Sequence, residues 1–82
     1  MSVREKIPNT NYWYEYIIFE EDHLIDYELY LSEDADDYLG ICRVYTAYDS
    51  YTNTEYFESC EVLESCENLS DKDFKELIRS VI

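Results

Sequence analysis

From Leu24 to Leu31 apolar and polar side chains alternate. Ile25, Tyr27, Leu29 and Leu31 fall on one face of an extended chain, and Asp26, Glu28 and Tyr30 on the other. That period predicts a half-buried strand with an acidic outer face. Residues 12–19, YWYEYIIF, are aromatic and β-branched. They predict a strand, with helix as the competitor because alternation is not clean. Residues 41–48, ICRVYTAY, and 55–64, EYFESCEVLE, predict two more strands, joined as a hairpin by the turn chemistry of DSYTN at 49–53.

The period changes near the C-terminus. Phe74, Leu77, Ile78, Val81 and Ile82 recur at helical spacing, Ser70 and Asp73 form a capping-box pair, and Lys75 and Arg79 sit where the helix dipole favours cations. This predicts an amphipathic helix packed on the sheet, with docking to a partner as the other use of its apolar face. Between the second and third strands, SEDADDYL at 32–39 offers Ser32 as an N-cap, acids in a first turn, Ala35, Tyr38 and Leu39 on one side, and Gly40 as a stop. It predicts a short acidic helix, with a loop as the alternative. Residues 1–11 are polar, with Pro8 and two Asn, and read as a loose N-terminal arm. The expected fold is thus a single α+β domain over residues 1–82: a small, mainly antiparallel sheet of about four strands, a short acidic helix and a C-terminal amphipathic helix.

Ten Tyr, three Phe and one Trp in 82 residues speak against a disordered acidic tail, which is poor in such residues. The net charge is −14, and residues 7–71 contain one base, Arg43, among seventeen acids. Duplex DNA carries one charge per ~1.7 Å of axis, so fourteen charges match roughly 24 Å of duplex. A compact domain of this length is about 30 Å across. The chain therefore approaches the linear charge density of DNA, which argues against direct binding to nucleic acid. A partner with a basic, DNA-binding surface is the natural complement. The alternative is that acidity serves solubility alone, although a net charge of ~2–8 suffices for that in a small domain.

Other chemistry is sparse. Cys42, Cys60 and Cys66 are odd in number and form no CxxC pair, so reduced thiols are expected, with a Cys42–Cys60 bridge open if the last two strands pair. With His23 as the one histidine, no zinc set is expected. His23 beside Glu21 and Asp22 reads as a solvated turn residue rather than a general base. Glu33, Asp34, Asp36 and Asp37 lack the spaced Gly and Glu of a Ca²⁺ loop. Paired carboxylates abound, but 82 residues leave little room for a glycosidase cleft. No catalysis, metal or cofactor is expected. No apolar run reaches the ~18 residues of a membrane helix, and no basic start precedes an apolar stretch, so a cytoplasmic location is expected.

What remains is the acidic face. Side chains on one strand face repeat every ~6.6–7 Å, close to two phosphate steps of ~3.4 Å each. Asp26 and Glu28 occupy such a face, and Glu33, Asp34, Asp36 and Asp37 follow. Carboxylates accept charge-assisted hydrogen bonds as phosphates do, so this edge suits a phosphate-binding groove. Tyr30, Ala35, Tyr38 and Leu39 either line an apolar patch beside it or belong to the core.

The stretch DYELYLSEDADDYLG at 26–40 resembles the phage uracil-DNA glycosylase inhibitors, in which a strand acid, an apolar strand and an acidic amphipathic helix end in an apolar pair and Gly. TAYD at 46–49, continued by Thr52, is similar to a run in that family's next hairpin, and the likeness spans residues 25–58. The resemblance implies that Asp26 takes the strand phosphate-mimic role and Asp34 the main helix role. It further implies an apolar pocket walled by Tyr30, Ala35, Tyr38, Leu39, Val44 and Phe57, which takes up the side chain the enzyme would insert into DNA. Tyr30 and Tyr38 are bulkier than the aliphatics of the family, implying a shallower pocket. The family opens with a helix and ends in strands, the reverse of the order expected here. The implied function is a DNA-mimic inhibitor that blocks uracil-DNA glycosylase. The alternatives are a mimic directed at another nucleic-acid enzyme, such as a restriction or CRISPR nuclease, and an acidic interaction module that inhibits nothing.

Overall fold

A computed structural model describes residues 3–82. Five strands form one antiparallel sheet in chain order: β1 (Glu5–Lys6), β2 (Trp13–Phe19), β3 (Leu24–Tyr30), β4 (Gly40–Asp49) and β5 (Thr54–Glu64). One helix, α1 (Asp71–Arg79), follows. The α+β class holds, with one strand more than expected and one helix fewer.

Antiparallel register sorts the side chains onto two faces, since directly opposed residues point the same way. On the inner face Tyr16, Tyr27, Cys42 and Val62 form one row, and Ile18, Ile25, Val44 and Cys60 the next. Helix α1 crosses β4 and β5 on this side. It buries Phe74 and Ile78 completely against Leu29, Cys42, Val44 and Cys66. Each such side chain contributes about 1.5–3 kcal/mol of transfer free energy. The Ser70 hydroxyl accepts from the Asp73 N–H at 3.1 Å, as the capping pattern requires. Over β2 and β3, where the helix does not reach, the rings of Tyr14, Tyr16 and Tyr27 cluster with centroids 5.8–6.4 Å apart. Tyrosine suits that place because its ring excludes water while its hydroxyl can find a partner, as Tyr14 does in donating to Glu5 at 2.7 Å.

Gly40 does not end a helix. It opens β4 opposite Leu29, where a Cβ would lie 2.6 Å from the Glu64 carbonyl oxygen, 2.8 Å from Cys66 Sγ and 2.9 Å from the Phe74 ring. Only glycine lets the helix and the end of β5 come this close. The β4–β5 turn matches its sequence: Asp49 Oδ1 accepts from the Tyr51 N–H at 2.8 Å, and Asn53 takes a positive φ of 61°. All three cysteines are free thiols.

Two expectations are corrected. Residues 32–39 form an irregular connection between β3 and β4 rather than a helix. The Arg4 guanidinium occupies the carbonyls of Ser32, Glu33 and Ala35 at 3.0, 2.8 and 2.9 Å. A helix over 32–39 would need all three of these carbonyls for the N–H groups of Asp36, Asp37 and Leu39. Four acids within five positions, Glu33 to Asp37, also repel one another across i, i+3 and i, i+4 spacings. The described part of the N-terminal arm is not loose. It carries β1, its Ile7 is fully buried in the core, and Arg4 reaches across the outer face.

Candidate partner-binding face

The outer face is built by the alternate residues of the same strands. Glu15, Glu28, Ile41 and Glu64 form one row across the sheet, and Ile17, Asp26, Arg43 and Glu61 the next. Five carboxylates thus project from one face. The acids of β5 and Glu15 of β2 join those of β3 only through the register, which no local pattern reveals.

Two arginines organise these charges. Arg43 grips Asp26 with both ends of its fork, Nε to Oδ1 at 2.7 Å and Nη2 to Oδ2 at 3.0 Å, and this hydrogen-bonded pairing holds Arg43 more firmly protonated. Arg4 lies over the Tyr30 ring, 3.6 Å from its centroid, and pairs with Glu15 at 3.3 Å. Beneath it the Tyr30 hydroxyl lies 3.4 Å from carboxylate oxygens of both Glu15 and Glu28. Tyr45 donates to Glu61 at 2.6 Å. Tyr38 interacts with Glu64, whose hydrogen bond is the first cause that raises the phenol above its usual range.

The predicted phosphate-mimic residues therefore separate. Asp26 is half-buried and its charge is met by Arg43 within the molecule. Glu28 is half-buried beside Tyr30. Glu33, Asp34, Asp36 and Asp37 are all exposed on the 32–39 connection, and among the described residues no cation forms a salt bridge with any of them. Because Arg4 takes up backbone carbonyls of this segment, it orders the acidic connection without neutralising its carboxylates. Arg4 is the residue that sequence reasoning missed. Its run, Arg4-Glu5-Lys6 in a polar arm, carries no local sign of this role.

The predicted apolar pocket does not assemble. Tyr30 lies on the outer face under Arg4, and Tyr38 is exposed near Glu64. Val44 is fully buried on the inner face, and Phe57 lies there under the Arg79 guanidinium, 4.4 Å from its ring centroid. Ala35 is half-buried in the connection. Leu39 lines a separate cleft of about 100 Å³ with Tyr12, Leu31 and Leu69. A larger apolar groove of about 390 Å³ runs between the 8–12 turn and α1, with Pro8, Tyr12, Leu69 and Leu77 as its walls and Asp73 and Glu76 on its rim. The residues of the pocket come from both sides of one sheet, and strand alternation keeps them apart.

Among the described residues no group of three His, Cys, Asp or Glu side chains is placed to hold a metal ion, and no helix is long and apolar enough to cross a membrane. Set beside models of protein families, curated proteins and solved structures, the chain matches none.

Proposed function

We propose that this protein is an acidic inhibitor that occupies the nucleic-acid groove of a DNA-binding enzyme as a mimic of DNA. The observation that carries the reading is the outer face: five carboxylates on the sheet beside four exposed acids, without a salt bridge among the described residues, on a connection held in place by Arg4. Preorganised anions cost less to order on binding than flexible ones. A spread of charge over a body 40 × 28 × 23 Å matches a short stretch of duplex. The partner is a protein with a basic groove, bound without catalysis by this chain.

Uracil-DNA glycosylase is the target named by the sequence resemblance. A second reading, another nucleic-acid enzyme such as a nuclease, is favoured by the dispersal of the pocket residues over two faces, since a general mimic needs charge but no pocket. Uracil excision by purified glycosylase at stoichiometric dose of the inhibitor separates the two. Loss of excision, reversed by high salt, supports the first. Undiminished excision together with salt-sensitive inhibition of a nuclease supports the second. Full activity of every DNA-binding enzyme tested would sink both. Changing Glu33, Asp34, Asp36 and Asp37 together to amides is expected to slow association at least about tenfold at low salt and to flatten its salt dependence, because steering depends on summed charge.

A further inference from the structure

The two edges of the sheet differ. The β5 edge carries Glu55, Glu58, Glu61 and Glu64 along its length, the charged guard that natural sheets use against edge-to-edge pairing. On the other edge the short, charged β1, Glu5 and Lys6, guards only Trp13 and Tyr14. Among the described residues no strand pairs with the outward side of Glu15 to Phe19. Tyr16, Ile17, Ile18 and Phe19 are 42, 46, 54 and 39 % exposed. Glu15, the one acid in this stretch, is held by Arg4.

The hydrogen-bond phase along β2 follows from its neighbours. The Ile7 N–H donates to the Tyr12 carbonyl at 2.9 Å, so Tyr12 directs its backbone toward the β1 side. Alternation then turns the N–H and C=O of Tyr16 and Ile18 to the open edge, and those of Glu15, Ile17 and Phe19 toward β3.

We infer that two copies of the chain pair through β2, antiparallel, about a two-fold axis at Ile17. In this register Tyr16 of each copy opposes Ile18 of the other, and each such pair exchanges two backbone hydrogen bonds. All four outward-facing groups of each chain are then satisfied. Ile17 meets its own copy at the closest side-chain position, Phe19 comes up beside Glu15 and the Arg4 that holds it, and no like charges stand directly opposite. The same pairing along β5 would bring rows of glutamates together. The axis is perpendicular to the sheet, so both acidic outer faces lie on one side of the doubled sheet. The net charge of −14 per chain opposes association at low salt, and screening relieves it. The dimer therefore strengthens with salt, whereas a complex with a basic partner weakens.

Sedimentation velocity of the full chain over a wide concentration range, at low and high NaCl, tests this. A monomer–dimer equilibrium that shifts toward dimer in high salt is expected. Ile17→Lys should weaken association at least about tenfold, because like charges then meet across the axis. Mixing Ile17→Lys with Ile17→Glu should restore dimers that neither variant forms alone. If far-ultraviolet circular dichroism finds either variant unfolded, Ile18→Lys mixed with Tyr16→Glu, which oppose each other in this register, serves as the second pair. A monomer at all concentrations in high salt, an Ile17→Lys variant that dimerises like wild type, or mixtures of folded variants without recovery would each overturn the inference.

Discussion

Replacing Arg4 by Met keeps most of the apolar stem and removes the guanidinium. The contacts of Nη1, whose two hydrogens are shared among the carbonyls of Ser32, Glu33 and Ala35, are lost, with the 3.3 Å pair to Glu15 and the stacking on Tyr30. A hydrogen bond from a charged donor is worth about 1.5–3 kcal/mol when well buried. Two of the three carbonyl contacts are exposed, where water replaces the donor, so about 0.5–1 kcal/mol each is appropriate there and about 1 kcal/mol for Ala35. The cation–π contact adds about 0.5–1 kcal/mol, and the ion pair with Glu15 less than that. The total is about 2–4 kcal/mol. A domain of this length has about 4–12 kcal/mol in all, so the loss is a large fraction. With a urea m-value of about 1–1.5 kcal/mol/M, the midpoint falls by roughly 2 M. Amide hydrogen exchange is expected to quicken selectively over residues 32–39, whose order depends on Arg4, while β4 and β5 change only through global stability. Association with a basic partner slows as the four acids lose their fixed arrangement. A variant within about 0.5 kcal/mol of wild type, with unaltered exchange in this segment, would refute the clamp.

Gly40→Ala forces a methyl against the Glu64 carbonyl, Cys66 and Phe74. It is expected to cost about 1–3 kcal/mol, read as a lower thermal midpoint with the same fold by circular dichroism. A double-mutant cycle on Asp26→Asn and Arg43→Met should give a coupling of about 1–2 kcal/mol for the bidentate pair. Asp26→Asn should change the rate of partner association no more than any other single acid, because its carboxylate faces Arg43. On the alkaline side, burial and then the Glu5 hydrogen bond push Tyr14 up to about 12 from 10.0. Burial and the neighbouring Cys60 push Cys42 up to about 12 from 9.0. Both groups hold their protons more tightly when folded. Their stabilisation is therefore complete below pH 9 and lost as pH climbs to about 12. Urea midpoints measured across that range should fall, and Tyr14→Phe should make the fall shallower.

Local chemistry decided most of the secondary structure. The alternation at 24–31, the turn at 49–53 and the capped helical period after Ser70 each depend on residues near one another in the chain. All three elements appear there, except that β3 ends at Tyr30, which is buried, and leaves Leu31 exposed. Sequence alone also determined the dominance of negative charge, which is a sum and needs no fold. The segment at 32–39 had a plausible cap, helical spacing and a terminal glycine, yet its conformation depends on Arg4, 28 residues before its first bonded carbonyl. Gly40 was legible as a special position, but its cause, close approach of β5, Cys66 and Phe74, lies outside its own segment. Tertiary structure likewise decided which acids share a face, which one is neutralised by Arg43, and why Val44 and Phe57 cannot join Tyr30 in one pocket. A strand's side chains point to opposite sides every second residue, so a shift of one place changes the face. The register that sets the place comes from pairing between strands far apart in sequence.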